Sequence, residues 1–597
     1  MWWLAVNGNG IIPAVVVVAV WALTSCWSNP CAGRTRCWPN PNTSMKSRET
    51  SQNMTVSLRA EGEAVVQREV EEVLPSNDAD PSLFLQPPQP PDLVTLRMGR
   101  PRRLSPTTPW AVGLGLLATA VSALGSWIPS LWGDEVASVL SAQRSLPSLF
   151  RMLGNVDAVH GTYYLFLHFW VQLCGASPFS VRFPSAIAVG VMVAGLVVLG
   201  ARLAGVRAGV LAGLVAVVLP RVTYMGEEAR GYAISAACVV WLTLLLIHIV
   251  RLEHPKRRLW VLYAVGLAVC GYVFLFSLLI VVAHAVVVLG SRRRDTLITW
   301  VKAVLGGVAL TGPVIGYGIG ERGQIAFLAN RDSTNIRTLV VTQWFGSDLM
   351  AALSWALIVT SLAVWLVGAI RDRRKYSGIT VASDRETPRS GLVPIAATWL
   401  LAPPVILLAI YSVHAVYSSR YLSFAVPGAA LLIGWLLARV RPTALSIVLA
   451  IAVIAAAANP YFAERTPYAK NNSDWAQIAD TIGAHATPGE GILFDESTRP
   501  SRAPRLAMRA YPAPFTGLED VALKTPWFDT VNWHDAVYPS SAIDSRLGSL
   551  TSVWLVEYRQ PGGVADSYDR SMLSSLGFVV VASYPGHTSV VLHLTRP

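Results

Sequence analysis

Charge is what this chain lacks most. Asp, Glu, Lys and Arg supply only 14% of its 597 residues, against roughly 25% in an average soluble domain. Hydrophobic residues make up 53% and the mean hydropathy is +0.45. So little charge excludes an ordinary soluble protein, and apolar runs long enough to span a bilayer of roughly 30 Å recur along most of the length. The composition therefore predicts a polytopic α-helical membrane protein. Cysteine is also scarce. Cys26, Cys31 and Cys37 lie in the first segment, whereas Cys174, Cys238 and Cys270 stand singly in apolar runs. No pair has the two-residue spacing of a metal knuckle, and nothing points to a disulfide framework.

The formal net charge of +12 does not indicate nucleic acid. Its basic residues gather in short loops between apolar runs, Arg251 to Arg258, Arg292 to Arg294, Arg371 to Lys375 and Arg439 to Arg441. That is the positive-inside pattern, which orients a membrane chain rather than naming a ligand.

Residues 1–104 read differently. Ile11 to Thr24 is apolar but short, the stretch after it is rich in Ser, Pro, Arg, Asn and Glu, and Pro87 to Pro91 is extended linker material. Such a composition cannot bury a core. Either a cleaved signal peptide or a start placed too far upstream, with Met45 or Met54 as the true start, accounts for it.

From Trp110 onward, twelve apolar runs follow, near 110–127, 162–175, 181–201, 205–221, 229–251, 258–273, 274–290, 297–319, 350–370, 392–411, 421–438 and 443–459. The run 162–175 is short and aromatic, which suits an interfacial or re-entrant role. Eleven crossings then put every basic loop on the inside. The outer segments become 128–160, 221–229, 320–349, 411–420 and all that follows Tyr461.

Those segments hold the polar residues with chemistry to offer. Asp134 and Glu135 follow the first apolar run, and acids at a membrane edge are costly unless they face water, a partner or a substrate. Asp157, His160, Tyr163, Glu227, Glu228, Arg230, Tyr232, Glu321, Gln324, Arg331, His414, Arg420 and Tyr421 fall in or beside the other outer segments. Each has a plain alternative. Asp134 and Glu135 suit a solvated turn, Arg230 a helix-end pair with Glu227 or Glu228, Arg420 a snorkelling anchor, and His160 simple packing beside aromatics.

In order, Gly133-Asp134-Glu135, His160-Gly161-Thr162-Tyr163-Tyr164, Arg182-Phe183-Pro184-Ser185, Glu228-Ala229-Arg230-Gly231-Tyr232 and Ser419-Arg420-Tyr421-Leu422 resemble the motifs of GT-C membrane glycosyltransferases. The resemblance is to the branch of protein O-mannosyltransferases and the lipid A aminoarabinose transferase, in its actinobacterial, polyprenyl-phosphate-mannose-dependent form. The usual His-Pro-Pro-Leu-Tyr-Tyr stands here without prolines, a departure that bears on the acceptor. The resemblance implies a GT-C fold of about 11–13 transmembrane helices, a large first outer loop, a catalytic domain over 105–460 and an extracytoplasmic α/β domain over 461–597. It implies transfer of a sugar, with inversion, from a polyprenyl-phosphate donor to a glycan or lipoglycan acceptor outside the plasma membrane. Mannose is the favoured sugar, with arabinofuranose transfer or protein O-mannosylation as alternatives. Asp134 would be the general base, with Glu135 orienting acceptor or backbone. Arg230, Arg420 and Tyr421 would bind the donor phosphate, since arginine forks suit phosphate. His160, Tyr163, Glu228, Tyr232, Gln324 and His414 would line the substrate site. No cofactor is expected to be required, a divalent ion being the variant, because Asp134, Glu135, Asp157 and His160 select no particular metal.

After Tyr461 the pattern turns to soluble α/β. Trp475, Ile478, Ala479 and Ile482 have helical spacing behind Ser473 and Asp474, and strands are expected at 491–494, 552–557, 578–582 and 589–594, with a helix near 566–576. A lipid-linked sugar transporter would instead show internal repeats and midplane acids, and neither is evident between 229 and 319. A non-catalytic assembly partner would keep the fold and tolerate loss of Asp134 and Arg230.

Overall fold

The computed structural model describes residues 105–330, 334–376, 391–412, 414, 416–559 and 568–597. The first segment, residues 1–104, and Arg331 lie outside them. Every apolar run named above folds as helix. Six helices among the described residues are long and apolar enough to cross a membrane: Pro178–Ala204, Tyr232–Arg251, Asp348–Asp372, Leu392–Tyr411, Ser419–Leu437 and Thr443–Ala463. Two bent pairs bring the number to eight, Val206–Val218 with Pro220–Gly226 at 63° and Arg294–Leu310 with Gly312–Gly320 at 52°. Pro220 and Pro313 sit at the breaks, where a missing N–H interrupts the helical ladder. This is an integral membrane protein.

The remaining three expected crossings are shorter. Thr108–Ala123 has 16 residues and Arg257–Val273 has 17, while Leu275–Gly290 opens with a 3₁₀ turn. At 1.5 Å per residue, 16 residues reach about 24 Å, short of a full hydrocarbon core. Length alone therefore returns fewer spans than the count of apolar runs.

Contacts sort the helix ends into two groups. At one end Arg251 Nη2 donates to the Arg202 carbonyl at 2.8 Å and Arg293 Nη1 to the Leu252 carbonyl at 2.7 Å, so the basic loops meet. At the other end the acids meet. We label the helices that shape this acidic end α1 (Thr108–Ala123), α2 (Gly133–Gln143), α3 (Leu146–Leu153), α4 (Gly161–Cys174) and α5 (Pro178–Ala204). Helices α1 and α5 touch through backbone: a Cβ on Gly190 would lie 2.1 Å from Thr119 Oγ1 and 2.6 Å from the Gly115 carbonyl. Small residues allow such close crossings in membranes.

Helix α4 has 14 residues, about 21 Å of helix. Tyr164 points toward Arg230, and Trp170 Nε1 donates to the Ser180 carbonyl in the first turn of α5 at 2.9 Å. Both halves of α4 thus belong to the acidic end.

The C-terminal part holds strands β1 (Gly491–Phe494), β2 (Glu519–Asp520), β3 (Leu523–Thr525), β4 (Ala536–Val537), β5 (Ser552–Tyr558), β6 (Val579–Pro585) and β7 (Ser589–Thr595). Five form a sheet in the order β2-β1-β5-β7-β6, parallel across the first three and antiparallel thereafter. Side chains alternate between its faces, as the period of two requires. Leu493, Val553, Leu555 and Leu592 pack on Ile543, Leu547 and Leu573. Ile492, Phe494, Trp554 and Val591 join a second cluster with Trp475, Ile478 and Ile482 of helix Trp475–His485, and with Leu131, Val136, Tyr163 and Tyr164. The sheet is therefore packed onto the acidic end. Asp474 holds the expected capping position but makes no cap bond. Its carboxylate instead accepts from Thr588 N at 2.7 Å and Ser589 Oγ at 2.8 Å, tying the helix to the start of β7.

Candidate active site

Asp134 lies in the first turn of α2, where the helix dipole favours an acid. Gly133 before it is sterically required: a Cβ there would lie 2.2 Å from the Ser501 carbonyl of the C-terminal part. Asp134 Oδ2 accepts from Arg420 Nη1 at 2.6 Å and faces Arg230 Nη2 at 3.7 Å, with a quarter of its side chain exposed. Burial alone would raise its pKa. The guanidiniums of Arg420 and Arg230, with the hydrogen bond from Arg420, outweigh burial and hold it at about 2.

The pairing extends on both sides. Arg420 lies 3.5 Å from Glu228 Oε1 and stacks over the Trp132 ring at 4.7 Å. Arg230 Nη1 donates to Tyr164 Oη at 3.1 Å, and Tyr164 donates to Asp157 Oδ2 at 2.9 Å. Arg230 therefore does not close its own helix end, and Arg420 does not snorkel. His160 ends a short 3₁₀ turn beside Tyr164, ring centroids 6.0 Å apart. Burial first, then Arg230, lowers its pKa to about 4, so the imidazole is neutral at pH 7.

Glu135 points the other way. It is fully buried and takes a bidentate pair from Arg182, Nε to Oε1 at 2.7 Å and Nη2 to Oε2 at 2.5 Å, while Oε1 also accepts Ala229 N–H at 3.0 Å. Arg182 spends its other donors on the carbonyls of Ser126, Pro129 and Ser130. Glu135 thus fixes the backbone before Arg230 and faces no open space. Arg182→Ala should lower unfolding free energy by about 3–5 kcal/mol, because it strands a buried carboxylate. Thermal unfolding in detergent would register this.

The other named residues divide. Tyr232 and Tyr421 join an aromatic wall with Phe274 and Phe276: Tyr232 meets Phe274 edge-on at 5.2 Å, and Tyr421 stacks on Phe276 at 5.3 Å. Tyr163 is buried in the shared core. Gln324 tethers the outer loop, its Oε1 accepting Asp157 N–H at 3.3 Å, and Glu321 accepts Ala158 N–H at 3.1 Å. His414 is exposed, and among the described residues no hydrogen bond or ion pair links its side chain to the Asp134 group.

Sequence reasoning missed two features. Arg182 was part of a motif without a role. Lys470 and Arg465 reach Glu227 at 3.0 and 3.2 Å, buried cations past the last span. Their signal was positional, since the charge rule disfavours basic residues on that side. A cavity of about 310 Å³ adjoins Arg420, lined also by Arg221, Tyr224, Ser418, Ser419 and Glu464. Arg221 donates to the carbonyls of Gln343 and Thr342 at 2.6 and 3.0 Å. Among the described residues no three of His, Cys, Asp and Glu gather as a metal site.

The membrane helix bundle with a sheet domain packed on its acidic end has the GT-C fold, as its similarity to a solved structure of that fold shows. Within it, residues 162–317 match the family described as dolichyl-phosphate-mannose-protein mannosyltransferase. The fold is similar to that of ArnT from Cupriavidus metallidurans in crystal structures bound to undecaprenyl phosphate and in the apo state. Each is 13% identical with a TM-score of 0.50, covering 81% and 82% of this chain and 98% of that one. The Archaeoglobus fulgidus oligosaccharyltransferase aligns more loosely, at 10% identity and a TM-score of 0.40 over 76% of this chain and 72% of its own. No curated protein matches the chain in sequence.

Proposed function

We propose that this protein transfers a sugar from a polyprenyl-phosphate donor to an acceptor hydroxyl, inverting the anomeric carbon, with Asp134 as general base. The observation that carries this reading is Asp134 held between Arg420 and Arg230, with a cavity next to Arg420. Free of substrate, the two guanidiniums neutralise one carboxylate and make it a poor base. A donor phosphate offers them a stronger partner. As they turn to it, burial is less opposed and the proton affinity of Asp134 rises toward a useful range. The acceptor oxygen then bonds to the anomeric carbon as the bond to the phosphate oxygen breaks. Its proton passes to Asp134, and the arginines hold the charge left on the departing polyprenyl phosphate.

Mannose is the favoured sugar, supported by the family description over 162–317, with arabinofuranose next. A lipoglycan acceptor suits the chain better than a protein, since the His-Pro-Pro form is missing. The basic helix ends point inward by the charge rule, which makes the acidic end and sheet domain extracytoplasmic. The remaining site assignments are the aromatic wall of Tyr232 and Tyr421 toward the donor and Glu228 with His160 toward the sugar.

The test uses membranes from cells making the wild type, Asp134→Asn or neither, given radiolabelled polyprenyl-phosphate mannose and a lipoglycan. Label entering glycan only with the wild type supports sugar, acceptor class and base together. Equal transfer by wild type and Asp134→Asn rejects the base. No transfer to lipoglycan, but transfer from an arabinofuranose donor, rejects mannose and leaves the site.

A further inference from the structure

Arg144, at the end of α2, is 1% exposed and makes no ion pair among the described residues. Its donors reach one loop of the C-terminal part, Nη1 to the Thr530 carbonyl at 3.0 Å and Nη2 to the carbonyls of Trp527 and Asn532, and Nη1 also donates to Ser148 Oγ on α3 at 3.1 Å. Ser148 donates to the Phe528 carbonyl, and the guanidinium lies 5.6 Å from the Trp527 ring centroid. A buried arginine devoted to backbone carbonyls fixes the shape of a loop. Yet this fixed loop leaves its apolar side chains outside, Phe528 at 44% and Val531 at 47% exposed.

The surroundings say where they point. Leu146 and Phe150 on α3 are exposed beside the clasp, on a helix whose other face, Leu149 and Met152, is fully buried. The Ala142 carbonyl accepts His168 Nδ1–H of α4 at 2.8 Å. One turn on, Phe169 and Leu173 are exposed, Leu173 at 85%, and Trp170 bonds to the first turn of α5. There Phe179 meets Trp127 edge-on at 6.1 Å, both exposed. Hydrogen bonds thus link the clasped end of α2 through α4 to the first turn of α5, a membrane span, and each of α3, α4 and α5 carries exposed apolar side chains. Exposed Arg151 on α3 adds a cation for lipid headgroups, the usual companion of aromatic residues at that depth.

We propose that the loop 526–532, clasped by Arg144 against α3, inserts Phe528 and Val531 into the boundary between headgroups and acyl chains, making the C-terminal sheet domain a membrane-contacting element. A patch of this chemistry on a lone soluble surface would be an association liability. Its linkage through α2 and α4 to the start of the span α5 gives it a lipid partner already present. This inference needs the membrane but not the transferase reading.

The test uses the full chain, with native cysteines replaced, in nanodiscs of phosphatidylethanolamine and phosphatidylglycerol. A nitroxide is placed by Phe528→Cys, Val531→Cys or, as an exposed control on the helix Tyr568–Ser575, Ser574→Cys. Oxygen accessibility relative to a water-soluble nickel chelate should be several-fold higher at 528 and 531 than at 574. Ratios equal to that at 574 would overturn insertion, and labels shielded from both reagents would mean that protein, not lipid, covers the loop. Adding Arg144→Met should lower the ratio at 531, and an unchanged ratio would reject the clasp. If that variant does not fold, the three labels on the Arg144 chain still decide insertion.

Discussion

Asp134→Asn is expected to cut the rate of sugar transfer by about 10²–10⁴-fold, the range for removing a positioned general base. Asparagine has nearly the same shape and still accepts a hydrogen bond from Arg420, so the helix start, the packing of Gly133 and the body of the protein should persist. The loss should fall on kcat rather than on donor KM, which steady-state kinetics with varied donor would separate. Removing the acid frees two guanidiniums for phosphate, so donor binding should hold or tighten. A mutant with wild-type kcat would remove Asp134 from the chemistry.

Arg420→Ala should act twice. A charge-assisted contact to phosphate contributes about 1.5–3 kcal/mol, so donor KM should rise about 10- to 100-fold. The second effect is on pH. With Arg420 present, Asp134 sits at about 2, below its usual 3.8, so its ionised form is populated at any pH at which the enzyme is assayed. Without Arg420, burial is opposed chiefly by Arg230 at 3.7 Å, and the pKa rises. The acid limb of kcat/KM, which reports the free enzyme, should therefore move to higher pH. The same sign governs stability: a lowered folded pKa contributes stability that is present above pH ~4 and lost as pH falls toward 2. In Arg420→Ala that contribution should shrink, measurable as a smaller change in melting temperature between pH 5 and pH 3.

Much of this arrangement was legible in the chain. Apolar runs bounded by basic loops gave the helices, because hydrocarbon requires both features. The strands of the C-terminal part followed from alternation, and Gly491–Phe494, Ser552–Tyr558 and Ser589–Thr595 lie where the pattern put them. Asp134 stood out as an acid that a membrane edge makes costly, and the resemblance added Arg230 and Arg420 as partners for a donor phosphate. Their partners within the chain did not stand out. Nothing in local sequence pairs Arg420 with an acid 286 positions away, or tells Asp134 from Glu135, which adjoin in sequence but meet different arginines because successive helical residues turn by roughly 100°. Asp474 was equally opaque: a residue at a capping position can be taken by a strand that arrives a hundred residues later.

Gly133 carries a consequence for how the reaction is enclosed. With no side chain to hold it off, the Ser501 turn rests against the backbone that bears Asp134. On the transferase reading proposed above, the sheet domain then stands against the helix start that carries the candidate base. On that reading, water excluded by this contact cannot intercept the sugar in place of the acceptor, and partial burial strengthens the hold of two arginines on one carboxylate. Cutting the chain after the last membrane helix would remove this contact and the C-terminal side of the core shared with Leu131, Val136, Tyr163 and Tyr164, so on the same reading donor hydrolysis should gain over transfer.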